Sequence, residues 1–134
     1  DKAFSESTYA SEAFGITGNH IAHQGIAFDL INETAAKLGM AIKATNIHSS
    51  DVFYRSKTGT PPLAANNNCI CVEMEAFALF ANAQYLHKMA ATILTISDVI
   101  PTHEAMSADQ RQSSLDNMSQ LALESVVAIH EKIG

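Results

Sequence analysis

Charge is scarce in this chain: Asp, Glu, Lys and Arg together make up 16% of 134 residues, and only 8 are basic against 14 acidic. A net charge of −6 leaves no basic footprint for a phosphate backbone, which excludes nucleic acid as an expected partner. There are two cysteines, Cys69 and Cys71, too few for a disulfide scaffold. Spaced C-x-C on a strand, they would send both thiols to one face rather than toward each other, and they read as reduced and buried, as in a cytoplasmic protein. No apolar run approaches the ~20 residues that span a bilayer, so no membrane partner is expected. Glycine-rich phosphate loops are missing as well. The chain opens on Asp1-Lys2-Ala3-Phe4-Ser5 with neither an initiator Met nor a signal-peptide profile, which reads as a start inside a longer gene product.

What is present is apolar. Hydrophobic residues account for 47%, a proportion that suits a well-buried α/β core and, at this length, a single domain. Residues 1–18, rich in Ser, Thr and Ala, read as loop with one strand at most. Phe28, Ile31, Ala35 and Leu38 recur at helical steps before Gly39 and predict a helix over 24–38. Met40 to Ile47 alternates like a strand, and Lys57 to Pro62 with Asn66-Asn67-Asn68 reads as a surface excursion. Cys69 to Met74 predicts a short strand, and Phe77, Phe80, Ala81 and Tyr85 a helix ending near His87. Ala90 to Ser97 predicts a third strand, apolar on both faces as in a parallel sheet covered by helices. Ser107-Ala108-Asp109-Gln110 has the capping-box form, and Leu115, Met118, Ala122, Val126, Ile129 and Ile133 give the stripe of a long C-terminal helix. Strands alternating with helices imply parallel pairing, with ligands at the strand carboxyl ends.

Two acidic stretches fall at such ends. Cys71-Val72-Glu73-Met74-Glu75-Ala76-Phe77 places two carboxylates where an apolar run turns helical, and Asp98 closes the run from Ala90, with Arg111 thirteen residues further on. Buried acids at element boundaries suggest chemistry. Plainer readings stand beside this one: a Glu pair near a helix start favours the helix dipole, Asp98 serves equally as a cap or loop acid, and an exposed Arg111 is a solvated charge. His20-x-x-His23 and Cys69-x-Cys71 lack a second pair at zinc spacing and read as structural. Met74, Met89 and Met118 read as core gap-fillers.

Taken jointly, Val72-Glu73-Met74-Glu75-Ala76, Thr95-Ile96-Ser97-Asp98, Thr102-His103-Glu104, Gln110-Arg111-Gln112 and Leu121-Ala122-Leu123-Glu124-Ser125-Val126 resemble the hexameric, bacterial-type purine nucleoside phosphorylases, with matching intervals. The resemblance covers roughly residues 25 to 132, and Ser50-Asp51-Val52-Phe53-Tyr54 is similar to the family's base-stacking segment. It implies a three-layer α/β/α phosphorylase/hydrolase-like fold with a mixed, mostly parallel sheet, present as a C-terminal fragment. The implied reaction is reversible phosphorolysis of purine nucleosides to free base and pentose 1-phosphate, with purine nucleoside and phosphate as partners and inorganic phosphate as co-substrate in place of any cofactor or metal. By that resemblance Asp98 is the acid that protonates N7 and Arg111 the residue that engages it. Glu75 accepts from the ribose hydroxyls, Met74 packs on the sugar, Phe53 lies on the base, and Val72, Glu73 and Ser97 complete the pocket.

The resemblance also implies a homo-hexamer. Departures are Val99 and Pro101, where the family often has histidine and arginine, and His87, at a helix end commonly given to glycine. The family's phosphate-binding loop and arginines have no counterpart here, and Arg55 is not placed to replace them. A nucleosidase of the same superfamily, using water, and a non-catalytic nucleoside-binding relative are the alternatives. Arg111 and Thr102-His103-Glu104 favour the phosphorylase.

Overall fold

The computed structural model describes residues 1–134. The elements in order are β1 (Lys2–Phe4), α1 (Tyr9–Phe14), β2 (His20–Ala22), α2 (Ala27–Lys37), β3 (Asn46–Ser49), α3 (Pro62–Asn66), β4 (Cys69–Glu73), α4 (Ala76–Leu86), β5 (Asp98–Val99), β6 (Glu104–Ala105) and α5 (Ala108–Ile133). The chain divides into two compact units, Asp1–Phe28 with Lys43–Thr92, and Asp29–Ile42 with Ile93–Gly134. No helix is long and apolar enough to cross a membrane.

In the first unit the four longer strands form a mixed sheet in the order β2-β1-β3-β4. β1 is antiparallel to β2 and parallel to β3, and β3 is parallel to β4, so the fold is α/β as expected. The core gathers Ala3, Ile21 and Ile47 from the strands with Ala10 of α1 and Ala76, Phe77, Phe80, Ala81 and Ala83 of α4. Those α4 positions fall on one face of a 3.6-residue period, where the alanines allow close approach and the two phenylalanines supply the bulk. α4 ends at His87, whose φ of 53° is left-handed, with Lys88 N–H donating to the Ala83 carbonyl at 2.9 Å. This is the conformation that its replacement of a glycine requires.

The second unit holds most of α2, the antiparallel β5–β6 hairpin and α5. The predicted capping box forms: Ser107 Oγ accepts from Gln110 N–H at 3.2 Å, and Gln110 Oε1 accepts from Ser107 N–H at 2.9 Å. The buried face of α5 is rotated from the expected stripe. Leu121 and Ser125 are buried, whereas Leu115, Val126 and Ile133 are exposed. A serine at the inner position weakened the apolar signal and shifted the apparent stripe by one residue.

Three other expectations are corrected. Residues 1–18 contain both a strand and a helix, β1 and α1, whose short lengths and serine content hid their periods. The strand predicted from Met40 starts only at Asn46. Ala90 makes a single antiparallel bridge with Gln24, and residues 91–97 join no ladder. An apolar run encodes burial, but a strand also needs a backbone to pair with, and residues 91–97 have no ladder partner.

The bridge depends on Gly25. Gln24 and Ala90 exchange two backbone hydrogen bonds, at 2.8 and 2.9 Å, and the next residue, Gly25, adopts φ +73° with Met89 Cγ only 2.4 Å from where a Cβ would sit. Gly39, at φ +66°, has open space around it. Both Gly25→Ala and Gly39→Ala should therefore lose about 1–2 kcal/mol to the left-handed backbone. Gly25→Ala should lose more, because Met89 must also move, and urea denaturation of the two variants measures the difference.

Candidate functional site

The parallel strands β3 and β4 pair His48 with Val72 and Ser49 with Glu73, so their carboxyl ends lie side by side, where open α/β sheets place ligands. α4 starts directly after β4. Its first backbone donors have no helical acceptor and are met by side chains from both strand ends. Glu73 Oε2 accepts from the N–H of Glu75 at 2.8 Å and of Ala76 at 2.7 Å, and Ser49 Oγ accepts from Phe77 N–H at 3.1 Å. A carboxylate at this position is also favoured by the helix dipole. The other oxygen, Glu73 Oε1, is buried with no donor among the protein groups. Glu75 points away from this cap, its Oε2 accepting from Met74 N–H at 3.2 Å. Val72, Met74 and Glu75 are exposed on the same strand end.

Of the sequence-predicted residues in this unit, Glu73 alone is largely enclosed, so the expectation of paired buried acids is corrected. The alternation along β4 turns Cys69, Cys71 and Glu73 to the more covered face and Ile70 and Val72 outward, which leaves the second carboxylate beyond the strand. Both cysteines are free and half-buried. Burial pushes both thiols up, with the Glu73 charge adding to the effect at Cys71, so they stay protonated and poorly nucleophilic at neutral pH.

Phe53 follows β3 by four residues and is 75% exposed, as is its neighbour Tyr54 at 89%. Their rings meet edge to face at 4.9 Å. The segment is rooted in polar groups that sequence reasoning passed over. Ser5 Oγ donates to the Ser49 carbonyl at 2.6 Å, and Ser50 N–H donates to the Glu73 carbonyl at 2.8 Å. His48, whose side chain is only 2% exposed, lies 2.7 Å from Glu6 Oε2 through Nε2. The signal was the unbroken polar run His48-Ser49-Ser50 directly following Ile47, since buried polar side chains must find partners. Partial burial pushes the Glu6 carboxyl up, but the His48 hydrogen bond, its own backbone amide and the charges of His48 and Arg55 outweigh this and hold it below its ordinary value.

In the second unit Ser97, Asp98 and Arg111 come together. Ser97 Oγ donates to Asp98 Oδ2 at 2.5 Å and Arg111 Nη2 lies 3.6 Å from Oδ1. The hairpin register sets Asp98 opposite Ala105, Met106 N–H returns to the Ser97 carbonyl at 2.8 Å, and the capping box fixes the helix start just before Arg111. Both charged side chains are about half exposed, at 54% for Asp98 and 52% for Arg111, which corrects the expectation of a buried acid here too. A shallow cavity of about 220 Å³ lies over Ser97 and Asp98, lined also by Ile96, Glu104 and Gln110. It is smaller than the ~300–1,000 Å³ typical of a small-molecule pocket.

Comparison with known proteins gives a consistent picture. Residues 24–129 match the model of the phosphorylase superfamily. The chain is 41% identical over 129 residues to the DeoD-type purine nucleoside phosphorylase of Mycoplasma genitalium, covering 92% of this chain and 52% of that protein. With the DeoD-type purine nucleoside phosphorylase of Mycoplasma pneumoniae it shares 38% over 125 residues, at the same coverages. The chain thus spans about half the length of the curated relatives it matches. A crystal structure of purine nucleoside phosphorylase from Toxoplasma gondii in complex with immucillin-H matches with a TM-score of 0.78 at 15% identity, covering 97% of this chain and 54% of that one. At that identity the likeness speaks for the fold.

Two outcomes follow from the geometry. Glu73→Ala removes both cap bonds from α4 and should cost about 1–2 kcal/mol, with Glu73→Gln recovering part because an amide oxygen still accepts; urea denaturation reads both. Glu6, depressed on folding, contributes stability that is full above its ordinary value of 4.5 and is lost as pH falls from there through the folded value. Thermal melting across the acid range should show a smaller acid loss for Glu6→Gln than for the unsubstituted chain.

Proposed function

The chain belongs to the phosphorylase superfamily, and from that membership we propose that it carries the nucleoside side of a purine nucleoside phosphorylase site. The observation that carries this reading is the Asp98–Arg111 pair at 3.6 Å with Ser97 on the second carboxylate oxygen. Breaking the N-glycosidic bond builds negative charge on the departing purine, which a proton from Asp98 to N7 neutralises. As that proton leaves, the new carboxylate is met by the Arg111 guanidinium on one oxygen and the Ser97 hydroxyl on the other. Both interactions strengthen along the reaction and so act on the barrier more than on substrate binding.

The end of β4 serves the sugar and base. Glu75 is free of the α4 cap and accepts from ribose hydroxyls, Met74 packs on the sugar, Phe53 stacks on the base, and Val72 lines the pocket. Glu73 holds α4 with Oε2 and so sets the strand end that forms the base pocket. Inorganic phosphate is the co-substrate, and the residues that would bind it correspond to the part of the relatives that this chain does not span. The same reading makes the protein a cytoplasmic purine-salvage enzyme that works as a homo-hexamer.

Titration calorimetry with inosine and adenosine tests the reading directly. Binding of one or both is expected, and binding of neither overturns it. Any base release should depend on inorganic phosphate and fall by about 10²- to 10⁴-fold in Asp98→Asn. Release indifferent to phosphate would indicate a nucleosidase, and binding with no release a non-catalytic relative.

A further inference from the structure

The loop that presents Phe53 is closed on a single hydroxyl. Ser50 is buried at the end of β3, tied to β4 through its N–H to the Glu73 carbonyl at 2.8 Å. Its Oγ donates to the Val52 carbonyl at 2.8 Å, and accepts from Val52 N–H at 3.1 Å and from Arg55 Nη2 at 2.7 Å. A serine hydroxyl has one proton and two lone pairs, so all of its capacity is committed to this one loop. Between the two points of attachment lie only Phe53 and Tyr54, whose exposed rings have no burial to hold them. The Arg55 charge also helps to hold Glu6 below its ordinary value, and its guanidinium is tied to the loop through the Ser50 hydroxyl.

We propose that Arg55 is a positioning residue for the purine site: with Ser50 it clamps residues 51–55 so that Phe53 stands ready to stack on a base. This rests on the purine-nucleoside reading above. Ordering an exposed aromatic before the ligand arrives removes a cost that binding would otherwise bear. Arg55 does this through Ser50 and makes no contact of its own with the base.

Arg55→Ala tests the clamp in the full 134-residue chain, by hydrogen exchange at the Val52 amide, inosine affinity by calorimetry and the thermal unfolding midpoint. Arg55 is exposed, so the midpoint should hold, while Val52 exchange speeds up and inosine binds about tenfold more weakly, the lower end of what a charged hydrogen bond supplies. Arg55→Lys, which keeps the charge and a donor, should recover part of the affinity. Unchanged inosine affinity in Arg55→Ala would overturn the proposal, as would a loss that tracks a lowered midpoint and is not recovered by Lys. If the unsubstituted chain binds no purine nucleoside, the functional reading and the proposed role fall together, and faster Val52 exchange in Arg55→Ala would then show a clamp that serves no base.

Discussion

The start of α4 is the point on which the first unit depends. A helix that begins directly behind a strand has backbone donors that the strand cannot satisfy, and here Glu73 from β4 and Ser49 from β3 satisfy them together. Because the acceptors come from adjacent strands at paired positions, the cap fixes the relation of strand to strand and of sheet to helix at once. Phe77 and Phe80 can then enter the core beside Ala3, Ile21 and Ile47. The same cap draws the Glu73 carboxylate inward, with Oε1 buried, while Met74 and Glu75 stay exposed beyond the strand end.

That arrangement separates carboxylates that look alike in the sequence. Glu73 and Glu75 are two residues apart, yet one is spent on backbone amides and the other is left to face outward. Asp98 belongs to a third environment, with a hydroxyl on one oxygen and a guanidinium on the other. Of the three, Asp98 alone has a cation within ion-pair distance, while Glu75 accepts from the Met74 amide.

Elements whose signal is local were legible in the sequence. The capping box at Ser107 and Gln110 needs four residues to declare itself, and it forms as read. α2, β4 and α4 were legible to within about three residues for the same reason, since their periods are long enough to count. Residues 90–97 were not, because pairing depends on a neighbour that no local pattern reveals. β1 and α1 were missed because three and six residues are shorter than the windows in which a period shows. Of the candidate site, the burial of the acids was not readable: half-exposed Asp98 and outward Glu75 depend on which segments pack against them.

The polar run at the end of β3 shows where reading by residue type alone stops. His48, Ser49 and Ser50 look like the opening of a solvated loop, and all three are buried. Each is tolerated inside because it has a specific partner: Glu6 for His48, the α4 amide for Ser49, and Val52 with Arg55 for Ser50. Burying such groups without partners would cost more than the apolar core could readily offset. With partners, they fix directions that apolar contacts leave loose, since hydrogen bonds constrain angle as well as distance. The strand end from which the aromatic loop departs is therefore pinned by directed hydrogen bonds at three successive residues.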